Sequence, residues 1–259
     1  MGRTLKDAFG RMGKMARAFT MGGKRRTLVV LAVGFIGITA CVTLLAYLRA
    51  LDARRRVWAI HNMKIILVAL HNYRDVYGCF PPRAVTDGAG RELYSWRVAL
   101  LPWVGHPGLY AAFDRSGPYD SPQNRSLGES APEVYRSPRA RSPAHAASYM
   151  AVAGSGVWGR TEQKPLSRDP DNSDLVVLIE WPACESPWTA PYDPQLEEVV
   201  AYLSRERDTK CPVDMLLGLK WGGVRSLRSV PDVDVLKRLF GPDGGECVRR
   251  LETEGVITP

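Results

Sequence analysis

Four histidines, a serine between two glycines, a run of acids and seven tryptophans are the residues of this chain whose types could do chemistry. His61, His71, His106 and His145 are potential acid–base groups or metal ligands, yet none falls in a ligand or catalytic spacing such as H-E-x-x-H. His61 and His71 lie in a long helical stretch, where packing or hydrogen bonding is the expected role. Ser155, in Gly154-Ser155-Gly156, follows a strand-like run but has no identifiable His and Asp partners. There is no G-x-S-x-G, no P-loop and no G-x-G-x-x-G. Asp169-Pro170-Asp171-Asn172-Ser173-Asp174 has the oxygen density of a calcium loop but lacks its closing Glu, so a solvated turn is preferred. Trp58, Trp96, Trp103, Trp158, Trp181, Trp188 and Trp221 invite a carbohydrate or peptide platform. Most stand beside apolar residues, which favours core packing, and Trp188 and Trp158, in Gly/Pro-rich surroundings, are the better candidates for exposure. The expectation is a protein that is not an enzyme, with no catalytic, cofactor-binding or metal residues assigned.

The elements that must position these residues begin with 22 uncharged residues, Thr27 to Leu48. At about 1.5 Å per residue such a helix spans the ~30 Å hydrocarbon layer and satisfies its own backbone there. A signal-peptide core is shorter, about 7–15 residues, and ends at a small-residue cleavage site; here the run continues into Arg49 and Arg54-Arg55-Arg56. Residues 1–26 hold eight Lys or Arg against Asp7, a net +7 of the total +8. By the positive-inside rule that tail is cytoplasmic and the body is exported across the inner membrane. The arginines on the far side weaken this orientation without reversing it. With only +1 left for the remaining residues, no nucleic-acid partner is expected. The partner of the basic tail is the lipid bilayer, where each cation near anionic lipid gains about 1 kcal/mol. Leu5, Phe9, Met12, Ala16 and Phe19 recur at helical spacing, so the tail is either an interfacial helix or a disordered basic segment.

Cys41 falls in the span as a packing residue, while Cys79, Cys184, Cys211 and Cys247 fall in the exported part, where disulfides form. Three pairings are open among those four. There is no C-x-x-C and no Cys/His spacing of a zinc site.

From Ala50 to Tyr77 there is no Gly or Pro, and Leu51, Val57, Ile60, Met63, Ile66, Leu67 and Leu70 recur mostly at three- and four-residue steps. One continuous helix, half in lipid and half in water, is expected to stop at Gly78 before Pro81-Pro82. Ser95 reads as the cap of a helix over Trp96–Leu101, and Ser121-Pro122 as another start. Residues 137–147 read as an exposed loop. Strands are expected over 147–153, 175–181, 213–219 and 224–229, with a hairpin turn at Lys220-Trp221-Gly222-Gly223 and a short helix over 232–240. Long helix, irregular structure and then antiparallel sheet make an α+β pattern.

That order resembles the type IV pilin fold. HNYRDVYGCFPP (71–82), LYSWRVALLPWV (93–104), PYDSPQNRSL (118–127) and LVVLIEWPACESPWTAPYD (175–193) together resemble a bacterial pseudopilin-like family of unknown function, family 1559. Its marks are a prepilin-type N-terminus and an H-X9-DG C-terminal motif, and the resemblance extends over residues 27–246. It implies a membrane-anchored, exported pilin-like domain of type II secretion-like character and no known reaction. The chain departs from the family in three places. Its span opens Lys24-Arg25-Arg26-Thr27-Leu28 without the acid of a G-F-T-L-I-E-like start. Ala59 and Ser137 stand where the family often has cysteines, which implies the paired loss of one disulfide. The terminal His and Asp-Gly are not recognisable, with Trp221-Gly222-Gly223 near their expected place.

The organisation expected is a basic cytoplasmic tail over 1–26, a transmembrane helix over 27–48, its amphipathic continuation over 49–82, an exported pseudopilin-like domain over 83–246 and a C-terminal tail over 247–259. Three function classes follow. The first is a structural or assembly component of an envelope or secretion-type system, meeting other pilin-like subunits through the N-terminal helix. The second is an anchored extracytoplasmic binding module that does not assemble. The least favoured is an exported enzyme. No small-molecule substrate is identified.

Overall fold

The computed structural model describes residues 3–154, 174–182, 184–208, 214–242 and 244–259, the side chains of 3–22 and 24–27 aside. Ser155, Trp158, residues 169–173 and Cys211 lie outside the described residues, as do the side chains of the basic tail. The chain divides into two units, Met1–Arg54 and Arg55–Pro259.

The first unit is helical throughout its described backbone and belongs to helix α1, Arg3–Tyr77. Between Leu28 and Leu48 every described side chain is exposed, Leu, Val, Ile and Phe included. One helix segment in the described chain is thus long and apolar enough to cross a membrane.

The second unit begins with the rest of α1. Ala59, Met63, Ile66, Leu67, Ala69 and Leu70 are buried, at the three- and four-residue spacing of one helix face. The helix ends where the sequence places its stop. Gly78 takes φ 78° and its N–H donates to Arg74 O at 2.7 Å, a left-handed cap that glycine adopts without a Cβ penalty. A two-stranded antiparallel ribbon follows, β1 Ala84–Thr86 with β2 Glu92–Ser95. Ser95 caps α2, Trp96–Ala99, by accepting from Arg97 N. Helix α3 is Pro107–Ala112. Ser121 caps α4, Pro122–Gly128, by accepting from Asn124 N. Each serine answers a backbone N–H that has no partner within the first helical turn.

The main sheet has five antiparallel strands in the order β3-β4-β5-β6-β7: Tyr149–Met150, Val176–Glu180, Met215–Leu219, Val224–Leu227 and Ile257–Thr258. This is the α+β, pilin-like order of long helix and antiparallel sheet. Strands β4 and β5 are buried at every position, which explains why they are apolar throughout except at Glu180. The hairpin forms at Lys220–Gly223, with Gly222 at φ 101° and Leu219 N donating to Gly223 O at 2.8 Å. Helix α1 lies against the centre of this sheet at Gly218. A Cβ there would come within 3.1 Å of Leu178 Cβ, 3.2 Å of Met63 Sδ and 3.3 Å of Leu67 Cδ2. Glycine is the residue that allows so close an approach.

Three helices escape the sequence reading, α3 among them. Helix α5, Leu196–Asp208, carries Glu197 and Glu198 in its first turn and Arg205 and Arg207 in its last, the charge order favoured by the helix dipole. Helix α7, Gly244–Thr253, follows α6, Val233–Leu239. Residues 247–259, read as a tail, instead close the domain: Val248, Leu251 and Ile257 are buried and β7 pairs with β6. Their apolar residues are too few and too short-ranged to show a period, and the sheet edge gives them their order.

Candidate functional site

The four histidines have separate local roles. His61 is exposed and meets Trp58 edge-on at 5.6 Å. His71 meets Phe80 at 5.7 Å, and burial, with Arg74 nearby, holds its imidazole below the ordinary range. His106 stands at the start of α3 without a side-chain capping bond. His145 Nε2 donates to Glu185 O at 2.8 Å. Among the described residues, no three His, Cys, Asp or Glu side chains gather as metal ligands. Asp174, the described end of the acidic run, pairs with Arg249 at 3.0 Å. Cys41, Cys79, Cys184 and Cys247 are free thiols.

The tryptophans divide differently from the expectation. Trp188 is buried, 1% exposed, and stacks on Tyr135 at 5.9 Å. Its proline-rich neighbourhood marks a tight turn folded into the core, held by the bond from Trp188 N to His145 O at 2.7 Å. Trp96 and Trp181 are also core residues, whereas Trp58 and Trp221 are exposed, 56% and 50%.

Two polar centres carry the electrostatics of the domain. In the first, Arg97 and Asp193 form an ion pair sealed from water, Nη2 to Oδ1 at 2.8 Å. Arg97 also donates to Tyr149 O at 2.9 Å and Ser95 Oγ at 2.8 Å, and lies over the Trp96 ring at 4.4 Å. Asp193 accepts from Ala151 N at 2.9 Å and Trp96 Nε1 at 3.1 Å. Complete burial pushes its carboxyl upward, and the Arg97 charge and these donors draw it back. Tyr135, wholly buried, donates its hydroxyl to Arg97 O at 2.7 Å. These bonds tie α2 to β3 and to the 188–193 turn; they hold residues in place and leave no open face for a substrate.

The second centre gathers on Asp214. Arg56 of α1 donates from Nη1 to both carboxylate oxygens at 2.7 Å and from Nη2 to Ser226 Oγ at 2.6 Å. Arg139 bridges Asp214 Oδ2 at 3.0 Å and Glu180 Oε2 at 2.9 Å, and Arg228 lies 3.3 Å from Asp214 Oδ1. Glu180 also accepts from Ser137, and burial raises its carboxyl above the ordinary range despite Arg139. A cleft of about 190 Å³ opens beside it, lined in part by Tyr202, Pro182 and Met215. Nearby, Tyr149 donates its hydroxyl to Ala59 O at 2.9 Å, with burial raising its pKa and Ser137 and Asn62 opposing that shift. Ala59 and Ser137 thus both border one hydroxyl.

A larger cleft, about 360 Å³, lies between α4 and the 187–189 turn. Tyr119 and Pro187 form apolar wall, the exposed Asp120, Arg125 and Glu129 its rim, and the buried Gly128 and Thr189 its base. Thr189 is 1% exposed, and its Oγ1 has no hydrogen-bond partner. A Cβ on Gly128 would stand 3.1 Å from that oxygen.

None of these centres was legible as a site. Arg97 and Asp193 fall in the family-like segments 93–104 and 175–193, yet nothing in the sequence links positions 96 residues apart. Asp214, Arg139 and Thr189 carry no local pattern. No curated protein and no solved structure gives a match to this chain. Residues 49–181 match the model of a protein family of unknown function, family 1559, a span that holds α1 beyond the apolar stretch, Arg97, the rim of the larger cleft and β4, and by that match the chain belongs to this family.

Proposed function

We propose that this chain is a single-pass membrane protein with a cytoplasmic tail and an extracytoplasmic folded unit, and that it serves as a structural or assembly component of an envelope or secretion-type system, not as an enzyme. The division of labour along α1 carries this reading. From Leu28 to Leu48 the helix presents its apolar side chains outward, as a lipid-facing segment does. From Ala59 to Leu70 the same helix buries one face in a folded domain. A helix that is both anchor and core element is suited to holding a domain at a membrane and to meeting like subunits through its first half. The two polar centres support a structural role, because their charged groups are consumed in mutual pairing.

One observation favours a second reading, an anchored binding module that stays outside any fibre. The span opens on Lys24-Arg25-Arg26 with no acid, unlike a prepilin start. The N-terminal sequence and intact mass of the chain from native membranes separate the two. A chain cut between residues 18 and 30, with a methylated new N-terminus, supports assembly. A chain retaining its basic tail discards processing and leaves the anchored module.

A further inference from the structure

We propose that the 360 Å³ cleft between α4 and the 187–189 turn is a binding site for a neutral saccharide, with Thr189 Oγ1 and Gly128 at its base. The inference concerns the folded unit alone and holds whichever of the two readings above is correct.

Three observations converge on this chemistry. The first is the Thr189 hydroxyl. A buried polar atom without a partner costs about 1–3 kcal/mol, and native structures keep few of them. Thr189 Oγ1 is one, at the base of a cleft whose size is at the lower end of small-molecule sites, about 300–1,000 Å³. The second is Gly128. Any side chain there would crowd Thr189 Oγ1, at 3.1 Å for the Cβ alone, so the base of the cleft is shaped around glycine packed against the hydroxyl.

The third is the sign of the rim. Asp120 and Glu129 offer acceptors, while Arg125 offers donors and holds Asp120 O at 3.1 Å. A cationic ligand meets Arg125, and an anionic one meets the two carboxylates. A neutral ligand bearing both donors and acceptors satisfies all three. The wall of Tyr119 and Pro187 adds a flat apolar surface. A pyranose ring combines these properties, with an apolar face for the wall, hydroxyls for the rim, and one hydroxyl to pair with Thr189.

The test is calorimetric titration of the full chain in lipid nanodiscs with cellobiose, maltose and diacetylchitobiose, with tri-lysine as a cationic comparison. At least one disaccharide is expected to bind saturably, with a Kd of about 1 mM or below. Thr189→Val keeps the side-chain shape and removes the orphan hydroxyl, so it is expected to weaken that binding about fivefold while leaving the thermal midpoint equal to or above wild type. Gly128→Ala is expected to weaken it at least as much, with the fold intact. The proposal is overturned if no disaccharide binds saturably, if only tri-lysine binds, or if both variants bind sugar as the wild type does.

Discussion

Arg97 Nη2 lies 2.8 Å from Asp193 Oδ1, and neither side chain reaches water. The pair joins α2 to the turn that carries Trp188, across a part of the domain that also contains Tyr135 and Tyr149. Its worth is in being complete. Removing one member of a buried pair leaves the other charge without compensation, at about 3–5 kcal/mol. Asp193→Asn is therefore expected to lower unfolding stability by about that amount, read by chemical denaturation. A loss below about 1 kcal/mol would mean that the pair is solvated in solution.

Glu180 gives the domain a pH dependence of defined sign. Its folded carboxyl is raised above the ordinary glutamate range by burial, so the folded state holds this proton more tightly than the unfolded chain. The stabilisation is full below the ordinary Glu range and is lost as pH rises through the folded pKa. Stability of the wild type is expected to fall as pH rises out of the carboxylate range, and Glu180→Gln to flatten that slope. Denaturation midpoints of the two proteins across this window provide the comparison. An equal slope in both would assign the dependence to another group.

Gly218 sits where α1 touches the sheet, with Leu178, Met63 and Leu67 all within 3.3 Å of where a Cβ would stand. Gly218→Val places three heavy atoms in that contact. The expected loss is about 1–3 kcal/mol from overpacking, visible as a lower thermal midpoint with the far-ultraviolet spectrum retained. An unchanged midpoint would show that α1 moves away from β5 at little cost.

Ala59 and Ser137 border the Tyr149 hydroxyl, and Asn62, one turn along α1 from Ala59, donates to Arg136 O at 3.1 Å beside Ser137. Replacing both by cysteine is expected to give a disulfide under oxidising conditions, worth about 2–4 kcal/mol. Mass spectrometry of the oxidised protein reads it directly. Two persistent free thiols in the variant would show that the Cβ atoms are out of reach.

What the sequence made legible was local. The three- and four-residue period of Met63, Ile66, Leu67 and Leu70, the stop at Gly78, the caps at Ser95 and Ser121, and the β4 run each depend on residues within a few positions. What it hid was long-range. Trp188 looked exposed because Pro187 and Pro191 mark a turn, and only the chain around Tyr135 and His145 puts that turn inside the core. Helices α5 and α7 bury short faces, Val199 and Leu203 in one and Val248 and Leu251 in the other, too little pattern to stand out. The orphan hydroxyl of Thr189 becomes informative only when Gly128, 61 positions earlier in the chain, is known to lie against it.

The most direct measurement of the central claim is a protease-protection experiment on sealed bacterial spheroplasts that carry the chain with an epitope at each end. The chain is expected to stay with the membranes through alkaline extraction. External protease is expected to remove the C-terminal epitope and spare the N-terminal one on a short fragment. Release of the intact chain by alkali, or a C-terminal epitope protected until the membrane is broken, would contradict an anchored extracytoplasmic domain.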